Sequence, residues 1–98
     1  MIAYVFHHDA EAELEQAALF YESQVAGLGK SFAAEVERTI CLVREFPEAG
    51  SPAGANWRRV VIARFPYSII YQQRPDLIRI VAIAHQRRRP GYWRGRKV

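Results

Sequence analysis

Residues 57–85, WRRVVIARFPYSIIYQQRPDLIRIVAIAH, decide the fold. Three runs stand out: WRRVVIARF at 57–65, YSIIYQQ at 67–73 and LIRIVAIAH at 77–85. Their density of β-branched and aromatic residues predicts strands. Pro66 separates the first two, and RPD at 74–76 makes a tight turn before the third. Connections this short demand antiparallel neighbours, since parallel strands need a long crossover. In LIRIVAIA, strict alternation sends Ile78, Ile80, Ala82 and Ala84 to one face and Leu77, Val81 and Ile83 to the other. Both faces are then apolar. The second needs a cover, either the C-terminal tail folded back or another chain.

Upstream, residues 2–7, IAYVFH, read as a further strand. Asp9 stands where an N-cap belongs, and Glu11, Glu13 and Glu15 favour the positive end of a helix dipole. Ala10, Leu14, Ala18, Tyr21 and Val25 form one stripe of that helix. Gly27 and Gly29 supply a stop, and a second helix follows with Phe32, Val36, Ile40 and Val43 on one face. FPEAGSP at 46–52 ends it and opens a loop over about 47–56. Helices joined so closely pack as an antiparallel hairpin. The expectation is an α+β fold, β-α-α-β-β-β: an N-terminal strand, a helical hairpin and three antiparallel strands, with the helices on one sheet face.

A chain of 98 residues fits one domain spanning 1–98. Half its residues are hydrophobic, which argues against disorder. The lone Cys41 excludes an internal disulfide and a multi-cysteine zinc cage, and reads as a small apolar filler. Residues 1–8 carry no Lys or Arg, and their apolar run is short for a signal peptide. No apolar stretch approaches a membrane span. A cytoplasmic location and no membrane partner are expected.

Charge is segregated. Residues 1–50 hold three basic and nine acidic side chains, whereas 51–98 hold eleven basic and one acidic. Residues 86–98 form a basic C-terminal segment that begins QRRRPGYW. A polyanion or an acidic protein would be drawn to the second half and repelled by the first. Arg58, Arg59, Arg64 and Arg79 lie on the strands that feed the same region. Arginine forks grip carboxylate and phosphate alike, so charge alone leaves the partner open. Tyr92 and Trp93 have two readings, stacking on bases or anchoring the tail against the open sheet face.

Several stretches, in this order and spacing, resemble the RelE/ParE superfamily of toxins from type II toxin–antitoxin systems. They are DAEAELEQAALFYESQVAGLGKSFAAEVE (9–37), FPEAGSP (46–52), RFPYSIIYQ (64–72) and VAIAHQRRRPGYWRGR (81–96). The last two are the specific ones, and the ending is more similar to the ParE-like branch. The resemblance implies a growth-inhibiting toxin of the plasmid-stabilization kind, neutralised by a cognate antitoxin in a heterotetramer or larger assembly. ParE-like members act on DNA gyrase. RelE-like members enter the ribosome and cut mRNA. A homologue that only binds antitoxin is a third case.

A ribonuclease needs proton donors and acceptors, and cations for the charged transition state. By resemblance, Arg59, His85, Arg87 and Tyr92 would supply them. Val61 and Ser68 stand where further basic residues are expected, with Arg58 or Arg64 as substitutes. His85 is either a general acid beside Arg87 or the residue that ends a strand and hydrogen-bonds the turning chain. A binding toxin would instead use Arg58, Arg64, Arg79, Arg88, Arg89, Tyr92 and Trp93 as its contact surface. His7 and His8 lack metal-ligand spacing, so neither metal nor cofactor is expected.

Overall fold

The computed structural model describes residues 1–97. Val98, the last residue of the basic segment read at 86–98, lies outside the described residues. Strand β1 (Ala3–Phe6) leads into helices α1 (His8–Gln24) and α2 (Leu28–Glu45). Strands β2 (Ser51–Pro52), β3 (Arg58–Val61), β4 (Tyr67–Gln73) and β5 (Leu77–His85) follow. The sheet runs β1-β5-β4-β3-β2. Antiparallel pairs join β2 to β3, β3 to β4 and β4 to β5, whereas β1 lies parallel to β5, the chain between them running through both helices and β2–β4. This is the expected α+β arrangement, with a two-residue β2 added inside the loop.

Local chemistry sets the boundaries. His7, not Asp9, caps α1: its Nδ1 accepts the Asp9 N–H at 3.0 Å, so the helix starts before the acidic run. Gly27 caps α2 at φ 87°, a left-handed conformation that suits glycine. Glu22 of α1 accepts the N–H groups of Gly27 and Gly29 at 2.7 and 2.9 Å and so binds the open N-terminus of the second helix. These bonds hold its carboxyl below the ordinary value. A Cβ on Gly29 would overlap the Ala18 carbonyl oxygen, so the glycine sets how closely the helices approach. β3 ends at Val61 rather than at Phe65. The chain leaves the sheet through Arg64 at φ 72°, while Ile62 and Phe65 turn inward from the loop.

The helices bury Phe32, Val36, Ile40 and Val43 against one sheet face, as the stripe on α2 predicts. Phe32 sits at the centre, 5.0–5.2 Å between ring centroids from Tyr21, Phe65 and Tyr67. Aromatic pairs of this kind add about 0.5–1.5 kcal/mol each beyond area burial. Val25 departs from its stripe, being 59% exposed beyond the last turn of α1. Tyr71 is fully buried, and its hydroxyl joins the loop after α2 by accepting Gly50 N–H at 2.9 Å and donating to Pro47 O at 2.7 Å.

The alternation expected along β5 breaks. Ile70 pairs with Ala82 and Tyr71 with Ile80, leaving Val81 as an extra residue in a β-bulge. Ile78, Ile80 and Ile83 therefore face the helices, whereas Val81, Ala82 and Ala84 join Ile70 on the opposite face. That second face is covered by the tail. Trp93, 8% exposed, packs on it with Tyr92 and Trp57 at the margins. Among the described residues, no helix is long and apolar enough to cross a membrane.

Candidate functional site

The tail reaches the second face by successive turns closed by Arg88 N–His85 O (3.0 Å), Arg94 N–Gly91 O (3.0 Å) and Arg96 N–Trp93 O (2.9 Å). Gly91 at φ 79° allows the chain to reverse after Pro90. A partly buried ion pair, each side chain 13% exposed, fastens the end. Arg96 donates to both carboxylate oxygens of Glu13, at 2.9 and 2.8 Å, and to Val81 O at 2.9 Å. Glu13 also accepts the Ile83 N–H at 3.0 Å and the Tyr92 hydroxyl at 2.8 Å. These groups serve the backbone of β5 past Ile80, where pairing with β1 stops. The bonds to Glu13 raise the Arg96 pKa. Burial first, and then the bond to Glu13, push the Tyr92 hydroxyl far above its ordinary value.

Arg59, Ser68, His85, Arg88, Tyr92 and Trp93 wall one cavity of about 340 Å³ at the end of β4 and β5. No Asp or Glu lines it. Arg59 is exposed on β3, and Arg88 lies with its guanidinium 3.9 Å from the Tyr92 ring centroid. His85 accepts the Arg87 N–H at Nδ1, 3.0 Å away, and meets the Tyr67 ring edge-on at 5.0 Å. It thus bonds the chain where it turns into the tail.

The other arginines are dispersed. Arg58 donates to Gly50 O at 2.7 Å and lines a separate cavity with Trp57 and Arg74. Arg64 lies 4.0 Å from Glu35 on α2. Arg79, half-buried on β5 opposite Gln72, has its pKa lowered by burial and by Arg74. Arg87 and Arg89 are exposed in the turn and do not line the cavity of Arg59. Of the nuclease set, Arg59, His85 and Tyr92 share the cavity. Of the contact set, Arg88, Tyr92 and Trp93 do.

Glu13 and Arg96 escape sequence reading because 83 residues separate them. Among the described residues, His7, His8 and Asp9 are the one group with ligand atoms close enough to share a metal. His7 Nδ1 is already used as the cap of α1.

The family model described as the ParE toxin of type II toxin–antitoxin systems, parDE, matches residues 4–90. A solved structure described as the chromosomal ParDE toxin–antitoxin system from P. aeruginosa is similar in fold, with a TM-score of 0.69 at 18% identity. The alignment covers 87% of this chain and 96% of that one. The comparison with curated proteins finds no match. A match over residues 4–90, on a chain with this order of strands and helices, shows that the protein belongs to the ParE toxin family of type II toxin–antitoxin systems.

Proposed function

We propose that this toxin arrests growth by binding DNA gyrase rather than by cutting RNA, and that a cognate antitoxin masks its contact surface. The surface is the cationic end of the sheet with its tail. Arg88 and the neighbouring Arg59 supply its charge, Arg58, Arg64, Arg79 and Arg89 add dispersed charge around it, Tyr92 supplies a partly exposed ring, and Trp93 holds the tail in place from beneath. An acidic, amphipathic antitoxin segment folding over this face fits its charge, in a heterotetramer or larger assembly.

The observation that carries this reading is the state of Tyr92. Its hydroxyl donates to Glu13, and its pKa is raised by burial and by that bond. A phenol so held is a poor proton relay at neutral pH. The second reading, a ribosome-dependent endoribonuclease, is favoured by Arg59, His85 and Tyr92 lining one cavity.

Induction of the chain alone in bacterial cells separates the two. The gyrase reading predicts an early fall in thymidine incorporation while translated messages stay intact. Cleavage of messages at codon positions before any fall in DNA synthesis, lost in Arg87→Ala, would support the ribonuclease instead.

A further inference from the structure

The cavity at the end of β4 and β5 has an uneven balance of donors and acceptors. Arg59, Arg88, Ser68, His85 and Trp93 wall it, and among the described residues no Asp or Glu does. His85 Nδ1 is taken by the Arg87 N–H, which leaves Nε2 as the N–H of the neutral ring. The Trp93 indole N–H is buried and donates to no described group of the protein. Buried donors are nearly always paired, and the ring that carries this one lines the cavity, so its N–H reports on what the cavity holds.

We propose that this cavity is an oxyanion pocket that takes a side-chain carboxylate from an acidic segment of a partner protein. It rests on reading the cationic end of the sheet as a docking surface, and it names the chemistry that the surface selects. Two guanidiniums from different elements, Arg59 on β3 and Arg88 in the turn after β5, give the charge. Arginine suits a carboxylate because its fork can bond both oxygens. Ile70 and Ala84 in the wall suit the methylenes of a glutamate. Once seated, the carboxylate ties the turn to the sheet.

A phosphate of RNA would meet the same charges, but its base would have no platform. Arg88 covers the Tyr92 ring at 3.9 Å from the centroid, Arg96 lies 5.1 Å from it, and Trp93 is buried under the tail. Single-stranded nucleic acid is gripped by open aromatic faces as well as by charge. The walls therefore favour the carboxylate.

The test uses the full chain labelled with ¹⁵N, in which the two tryptophans give two indole N–H resonances. Trp57 lines the other cavity and is the internal control, and Trp57→Phe assigns the pair. Titration with an acetylated hexaglutamate peptide should move the Trp93 signal downfield and saturably, with Trp57 unmoved. Arg59→Gln and Arg88→Gln should each weaken binding about tenfold, the loss of one charge-assisted contact. Both side chains are exposed, and the remaining amide spectrum reports whether each variant keeps its fold. No Trp93 shift with the peptide, or equal shifts in the arginine variants, would overturn the proposal. So would a shift with hexauridylate or inorganic phosphate but none with the peptide. A chain that arrests growth yet shows no shift loses the pocket and keeps the gyrase reading. One that shows the shift without arresting growth does the reverse.

Discussion

Glu13 stands among four acidic side chains at positions 9, 11, 13 and 15. Their local pattern assigns them to the dipole of α1. Three of them have substantial exposure, whereas Glu13 is 13% exposed at its side chain and holds Ile83, Tyr92 and Arg96 together. Nothing within a few residues of Glu13 marks it, because its partners arrive only when the bulge and the tail are in place. Leaving one member of a largely desolvated pair without its partner is destabilising, and here Ile83 N–H and Tyr92 would lose their acceptor too. Glu13→Ala should lower stability by about 3 kcal/mol in urea unfolding, at the lower end for such pairs. It should also make Trp93 more accessible to a fluorescence quencher. A loss below about 0.5 kcal/mol, typical of an exposed pair, would show that apolar packing alone holds the tail.

At the scale of elements, the strands were legible because their runs of Val, Ile and Tyr are bounded by Pro66 and the RPD turn. The faces of β5 were legible only up to Ile80. The bulge at Val81 inverts the alternation, and it follows from pairing with β4 rather than from composition. β3 is shorter than the apolar run at 57–65 because Ile62 and Phe65 are apolar for a different reason: they plug the core from a loop. The helical hairpin carries its own pH signature. Glu22 has its pKa lowered from the ordinary 4.5, mainly by the Gly27 N–H. A carboxyl depressed in the folded state stabilises above its unfolded pKa, and that contribution is lost as pH falls through the folded value. The stability difference between the native chain and Glu22→Gln should therefore be constant at neutral pH and shrink below about pH 4.5. A difference that stays constant into the acid range would contradict the cap.

For the whole molecule, the segregation of charge along the chain becomes a division in space. The acidic first half supplies the helices, and the basic second half supplies most of the sheet and the tail. The Glu13–Arg96 pair ties the two together. The need for a second cover over the sheet was legible in LIRIVAIA, and the tail supplies it through Trp93. What the sequence left open was the dispersal of the arginines. Strand register and the turns after His85 bring Arg59 and Arg88 to one cavity, and they send Arg58, Arg64 and Arg79 elsewhere. The resulting surface has cations without a free phenol, a better instrument for adhesion than for proton transfer. The most direct test of that claim mixes purified toxin with purified DNA gyrase, relaxed plasmid and ATP, and in parallel with translating ribosomes. The account predicts loss of supercoiling in the first mixture and intact mRNA in the second. Unimpaired supercoiling together with cleaved mRNA would contradict it.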